Sequence, residues 1–484
     1  MKKLLNNYKE LSTPFKASIW FLFSVFVQKG ISVIATPIFT RLMSASEYGQ
    51  YSVFDSWLSI ISIFVSLNLT SGVYLQGLVK FDSEKEEYTS SLVLLSTTIA
   101  AFSLVSWGGF QDFFGRLLSL DSIQMLSLLI MIWTTSMFNF WAARQRVEYK
   151  YKVLVLITLL VSLLKPVIGV IFVSVFTDKV TARIVAILLV EIVFFTPLFF
   201  VLLGKSKRKV NFMFWKYALV FNLPLIPHYL SQTVLNSADR IMIKNMISTD
   251  KAGIYSLAYS IAVLMTLFNT ALMQTLSPWI YQKIRAKQFG EIKSIAYFTM
   301  ILIAFVNILL IFFAPEAVRF FAPPSYYEAI WIIPPVTMSV YFMFIYDLFA
   351  KFAFYYEKTR FIMFASVIGA IVNIALNYIF IPQFGYIAAG YTTLFCYIIY
   401  GLGHYIFMNR VCDLYCGGVR PYEKEKVIII SLTFLIIGNM VLLTYNYPLW
   451  RFGLILVLLL ILLLKRRIFI QELNKILQVR KQSH

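Results

Sequence analysis

The chain has 484 residues, 60% of them hydrophobic and 14% charged, with a net charge of +20. A water-soluble chain of this length needs more polar surface, and a β-barrel would alternate where this sequence runs continuously apolar. The basic residues fall in short clusters between apolar runs. That excludes a nucleic-acid surface and matches the cytoplasmic excess of Lys and Arg in membrane proteins.

A hydrocarbon core about 30 Å thick takes roughly 20 apolar residues per helix. The pattern predicts an all-α integral membrane fold with fourteen transmembrane helices, at 15–40, 46–77, 88–110, 119–143, 153–176, 182–203, 214–243, 252–280, 294–313, 326–350, 361–381, 386–408, 427–445 and 448–464. Lys2, Lys3, Lys9 and Lys16 precede a first run too long for a signal-peptide core, so that run is expected to stay as a span. With the N-terminus inside, cytoplasmic segments hold 32 of the 43 Lys and Arg, outer segments hold 9, and Lys29 and Lys165 fall within spans. This predicts a multi-pass protein of a bacterial plasma membrane with both termini cytoplasmic. The loops are too short to hold a catalytic domain.

The first span carries Ser24, Gln28, Ser32, Thr36 and Thr40 at four-residue spacing, a polar stripe on an apolar helix. At an offset of 204 the seventh span repeats it with His228, Gln232, Asn236, Arg240 and Lys244. The same offset aligns Ser44, Gly49, Tyr51, Ser52 and Ser56 with Ser248, Gly253, Tyr255, Ser256 and Ser260. Helix–helix hydrogen bonding explains such stripes in part; two matched stripes predict a wet cavity that each half lines. Six spans separate the copies, so the expected architecture is two six-helix lobes related by a pseudo-two-fold along the membrane normal, plus two C-terminal helices. The boundaries are 1–203 for the N-lobe, 204–213 for a basic cytoplasmic linker (Lys205–Lys209), 214–410 for the C-lobe and 411–484 for the last pair and a basic tail.

Charges inside spans mark function by default. Lys29 lies about 14 residues into its helix, and Lys165 and Glu191 about 12 into theirs, which gives similar depths at 1.5 Å per residue. His228 lies near the same depth. Lys29 and Lys165, with Arg240, Gln28, Ser32, His228, Gln232 and Asn236, are the candidate substrate-binding residues, and lysines in a cavity suit an anion such as a diphosphate. Asp55, Glu191 and Asp239 are candidates for coupling or ion pairing. The competing readings are a structural Lys165–Glu191 pair, a Lys29–Asp55 pair and an interfacial Asp239–Arg240 pair. Asp347 and Lys351 read as a local i,i+4 pair, and His404 as a hydrogen-bonded core residue. Proline and glycine interrupt the first, fifth, seventh and tenth spans, among them Pro37, Pro166, Pro224 and Pro227. Cys396 reads as a core residue. Cys412 and Cys416 are expected in a cytoplasmic loop without the further ligands of a zinc site, so no metal or cofactor is expected. Walker A, HExxH and nucleophile-elbow motifs are absent, which argues for a transporter rather than an enzyme.

Three segments carry a family resemblance: NLPLIPHYLSQTVLNSADRIMI at 222–243 with AGIYSLAYS at 252–260, TPIFTRLMSASEYGQYS at 36–52, and GYIAAGYTTL at 385–394. They resemble the polysaccharide biosynthesis flippases of the multidrug/oligosaccharidyl-lipid/polysaccharide exporter superfamily, over essentially the whole chain. The resemblance implies a two-lobed fold that moves undecaprenyl-diphosphate-linked oligosaccharide units to the outer leaflet for capsule, exopolysaccharide or O-antigen assembly. The implied partners are that lipid-linked sugar, the membrane lipids, and a polysaccharide polymerase and co-polymerase. Lys29, Asp239 and Arg240 occupy places comparable to charged positions of the family. The runner-up is a cation-coupled exporter of drugs or small molecules with the same fold.

Overall fold

The computed structural model describes residues 12–204, 206, 208–358, 360–467 and 471. Lys2, Lys3, Lys9, Lys205, Lys207 and the end of the basic tail lie outside the described residues. The described chain is all-helical, and it forms two compact units divided between Ser237 and Ala238.

The first unit contains α1 (Thr13–Leu42), α2 (Ala45–Ser66), α3 (Val73–Lys80), α4 (Lys85–Gly109), α5 (Gln111–Leu118), α6 (Ser122–Val147), α7 (Tyr151–Val175), α8 (Lys179–Leu203) and α9 (Phe212–Asn222). A capping box starts α2: Glu47 N donates to Ser44 Oγ at 3.2 Å, and Ser44 N donates to Glu47 Oε2 at 2.7 Å. Its loss would cost about 1 kcal/mol. Leu67 and Asn68, with φ of 47° and 50°, end α2, so the expected span 46–77 is two helices. Tyr74, Tyr88, Phe140 and Phe214 form the core that joins α3, α4, α6 and α9. Polar contacts add to it at one end. Trp215 Nε1 donates to Ser91 O at 2.7 Å, and Asn211 Nδ2 donates to Glu87 Oε1 at 2.8 Å. Arg144 Nη1 donates to Glu86 Oε2 at 2.8 Å, and its Nε to Glu148 Oε1 at 2.8 Å.

The expected seventh span is also broken. α9 stops at Asn222, a short 3-10 turn covers Leu223–Leu225, and α10 runs Ile226–Met246. Pro224 and Pro227 donate no backbone N–H, which accounts for the break. The C-lobe boundary expected at 214 therefore differs from the observed division, which falls inside α10, and α9 packs within the first unit.

The second unit holds the end of α10, then α11 (Thr249–Ala262), α12 (Met265–Arg285), α13 (Phe289–Phe312), α14 (Ala314–Phe321), α15 (Ile333–Tyr355), α16 (Arg360–Phe384), α17 (Ala388–Tyr415), α18 (Lys424–Leu442) and α19 (Pro448–Leu464). α15 lies at its centre, with most of its residues buried against α11, α12, α13, α17 and α18. Gly369 of α16 allows the close approach of α17: a Cβ there would lie 2.2 Å from Tyr400 Cε2. The start of the expected tenth span, 326–331, instead belongs to a 3-10 segment, Pro324–Trp331, that precedes α15. Cys412 lies inside α17 and Cys416 caps it, so neither is in a loop.

Register recurs along the chain. Leu42 and Met246 end α1 and α10, Ala45 and Thr249 begin α2 and α11, and Lys85 and Phe289 begin α4 and α13, each pair 204 residues apart. Among the described residues ten helical stretches are long and apolar enough to cross a membrane. The second, seventh, twelfth and fourteenth expected spans are not in that set.

Candidate substrate and coupling sites

In the first unit, Gln28, Lys29 and Ser32 are exposed on one stretch of α1. Lys29 makes no ion pair among the described residues, so the competing Lys29–Asp55 pair does not form. The other stripe members differ. Ser24 and Thr40 are buried, and Ser24, Thr36 and Thr40 donate to backbone carbonyls of their own helix at 2.8, 3.0 and 3.3 Å. Only the middle of the stripe therefore offers free polar surface. Asp55 is exposed on α2.

Lys165 of α7 and Glu191 of α8 form the expected pair, Nζ to Oε1 at 2.6 Å. The Glu191 side chain is 3% exposed and that of Lys165 30%. The second carboxylate oxygen accepts from Thr134 at 2.9 Å and Thr135 at 3.3 Å. Lys165 also lies 5.7 Å from the Phe195 ring centroid. The lysine is therefore neutralised, and of the two expected substrate lysines only Lys29 keeps an uncompensated charge. On α10, His228 is half-buried, and its Nδ1 is buried without a hydrogen-bond partner among the described residues. Gln232 is half-buried and Asn236 is exposed, with Asn236 Nδ2 donating to the Gln232 carbonyl at 2.8 Å.

In the second unit, Asp239 is not interfacial. It is 1% exposed and accepts from Tyr255 Oη at 2.6 Å, Asn377 Nδ2 at 2.7 Å and Thr393 Oγ1 at 3.0 Å. Asn377 also donates to Asn373 Oδ1 at 3.4 Å and accepts from Thr392. Four helices, α10, α11, α16 and α17, thus converge on one carboxylate through neutral donors. Arg240 lies with its guanidinium 4.5 Å over Tyr259. A buried carboxylate held only by neutral donors is costly as an anion, and it gains by taking up a proton or a cation. Sequence reading found Asp239 and missed its neighbours. Asn373 and Asn377, four apart in an apolar span, were the available signal.

His404 is buried, as expected, but neither ring nitrogen has a hydrogen-bond partner among the described residues. Asp347 and Lys351 form the expected pair at 2.7 Å. Cys396 is buried.

The fold is shared with known proteins. The fold is similar to a structure titled "Lipid II flippase MurJ, inward closed conformation", with a TM-score of 0.72 at 17% identity, covering 94% of this chain and all of that one. It is also similar to an inward-facing multidrug resistance MATE family transporter, with a TM-score of 0.61 at 13% identity over 80% of this chain and 96% of that one. A Haemophilus influenzae protein described as "Lsg locus putative protein 1" is 24% identical over 386 residues, 75% of this chain and 90% of the relative. These likenesses define the class of fold, a multi-pass helical membrane fold shared with a lipid flippase and a multidrug transporter. The family model "Polysaccharide biosynthesis protein" matches residues 15–284, more than half of the sequence, and the chain belongs to that family. A second model, "MatE", matches residues 224–379.

Proposed function

We propose that the protein moves undecaprenyl-diphosphate-linked oligosaccharide units from the cytoplasmic to the outer leaflet of a bacterial plasma membrane by alternating access. The units would feed a surface polysaccharide whose polymerase and co-polymerase take the product, and both termini would lie in the cytoplasm. The observation that carries this reading is Lys29, an exposed cation without an ion pair among the described residues, in the middle of a 30-residue apolar helix. An isolated lysine at bilayer depth costs about 2.5–3.5 kcal/mol on insertion scales, a cost that a mobile phosphate ligand would offset. Gln28 and Ser32 beside it, with His228, Gln232, Asn236 and Arg240, would bind the sugar and phosphate groups, and Lys165 would orient within its pair. The six-plus-six lobes with two added helices are part of the same proposal.

The test is complementation of a flippase-deficient strain. Lys29→Ala should lose most surface polysaccharide at normal protein level, and Lys29→Arg should restore part of it. Full polysaccharide from both Lys29→Ala and Lys29→Glu would end the anion-binding idea. A cation-coupled exporter is the second reading, favoured by the buried Asp239 cluster and the MatE match. Efflux of cationic dyes by cells whose polysaccharide is independent of the protein would favour it.

A further inference from the structure

One end of the first unit carries a cleft that neither reading uses. Met213, Lys216, Tyr217, Val220 and Phe221 of α9 line it, and its volume is about 590 Å³. Their spacing is i, i+3, i+4, i+7 and i+8, which puts all five on one helix face. The opposite face is fixed. Phe214 and Ala218 are fully buried, and Trp215 Nε1 donates to Ser91 O at 2.7 Å. The end of α3 lies beside the cleft. Phe81, just past that helix, meets Phe214 at 5.0 Å and Tyr217 at 5.3 Å between ring centroids. Lys80, the last residue of α3, has its Nζ 4.8 Å from the Tyr217 ring centroid. Two lysines from two helices therefore border one cleft.

Both lysine side chains are exposed, and neither has an ion pair among the described residues. The carboxylates that follow Lys80 do not neutralise them. Asp82 pairs with Lys85 at 3.4 Å, Glu87 accepts from Asn211 at 2.8 Å and lies 3.8 Å from Arg208, and Glu84 pairs with neither lysine. Lys80 rests instead on an aromatic face, a weak hold at an exposed position. Lys216 stands four residues into α9, about 6 Å along the axis, and Val220 is about 6 Å further on. The cleft thus runs from a pair of cations to an apolar wall within about two turns of helix. Its volume falls in the range of roughly 300–1,000 Å³ typical of ligand sites. A small soluble anion would leave the apolar wall uncovered, and a zwitterionic lipid would leave the lysines unmatched. A phosphate carrying one net negative charge and a hydrocarbon chain satisfies both parts.

We propose that this cleft is a binding site for an anionic phospholipid of the surrounding membrane. Lys80 and Lys216 hold the phosphate as two point charges, and an acyl chain lies along Val220 and Phe221. Tyr217 stands between the two parts, where an amphipathic ring suits the boundary of headgroup and hydrocarbon. The bound lipid braces α9 against α3. Asn211 and Trp215 already fasten the start of α9 to α4, so the site is built before the lipid arrives. The helix it braces is the one that ends at the Leu223–Leu225 turn. This inference does not depend on what the protein transports.

The test uses full-length protein in phosphatidylcholine nanodiscs with a trace of photoactivatable phosphatidylglycerol. Adducts mapped by peptide mass spectrometry should fall in residues 212–222. Unlabelled phosphatidylglycerol should compete, and phosphatidylcholine of the same chains should not. Lys80→Gln and Lys216→Gln should each lower the yield about fivefold, and the double variant about 30-fold. Val220→Trp, which fills the apolar wall at an exposed position, should lower it with both lysines in place. Lys152→Gln, near the start of α7, should leave it unchanged. Melting temperatures check that each variant is folded. Full labelling of the double variant, or equal competition by phosphatidylcholine, would overturn the site. An equal loss in Lys152→Gln would overturn it as well, by showing diffuse attraction to the whole basic end. Displacement by water-soluble glycerol phosphate would make it a soluble-anion site. Displacement by an undecaprenyl-diphosphate oligosaccharide, at amounts where phosphatidylglycerol fails, would make it a substrate site. Either displacement would end the phospholipid proposal.

Discussion

The two buried carboxylates solve the same electrostatic problem in opposite ways. Glu191 in the first unit has a lysine at 2.6 Å and two threonines, so its charge is cancelled on site. Asp239 in the second unit accepts from a tyrosine, an asparagine and a threonine, so neutral donors solvate its charge, with Arg240 near but not in a direct ion pair. A cancelled charge is stable in one state and resists change. A carboxylate without a direct ion partner gains from a proton or a cation, which suits it to coupling to an ion. In the proposed cycle this difference favours a structural part for Glu191 and a transporting one for Asp239.

Substitutions at the two sites sharpen that contrast. The largest effect is expected from Asp239→Asn, which keeps the shape and removes the charge. Coupled transport should be lost while the melting temperature stays near that of the wild type, since no buried cation is orphaned. Retained transport in a reconstituted assay would remove Asp239 from the mechanism.

Next in size is Glu191→Gln, which leaves Lys165 without its carboxylate. Breaking a fully buried pair costs about 3–5 kcal/mol; with Lys165 partly exposed, a smaller loss of roughly 1–3 kcal/mol is expected. Replacing both partners, Lys165→Met with Glu191→Met, should recover most of that stability and part of the transport. Loss of transport in a stable double variant would show that the first pair also acts in the cycle.

The smallest effect concerns Glu328, in the 3-10 segment between α14 and α15. Lys251 donates to it at 2.6 Å and Tyr386 donates as well, and these bonds hold its carboxyl below the ordinary range. A depressed pKa stabilises the folded form above the unfolded value near 4.5, and the contribution fades as pH falls through the lower folded value. Proteolysis around residues 324–331 should therefore rise only below about pH 4.5. A rise already between pH 5 and 7 would show that the contact is not what pins the segment. More than half of the Glu328 side chain is exposed, so the change in global stability should be slight.

Some of this was readable from the chain. Lys165 and Glu191 are conspicuous because charge is rare in spans, and their similar depths predicted their meeting. Asp347 and Lys351 followed from helical spacing alone. The stripe on α1 was legible, although its burial was not: Ser24 and Thr40 turn their hydroxyls to their own backbone, which spacing cannot reveal. The breaks at Leu67 and Asn222 escaped a hydropathy reading because apolar residues continue on both sides. The alternative that paired Asp239 with Arg240 is not the contact that forms, since neighbours in sequence point to different faces of a helix.

Sequence alone determined that this chain crosses the membrane many times, that it repeats a pattern at 204 residues and that it belongs among polysaccharide flippases. Hydrophobicity, charge bias and periodicity are local or additive, so they survive in one dimension. Only the tertiary structure decided which carboxylate keeps its charge compensated, that Asn377 and Thr393 close on Asp239 from 138 and 154 residues away, and that Lys80 closes over Tyr217 from another helix. Those contacts depend on how helices turn their faces toward one another, and no interval along the chain encodes that rotation.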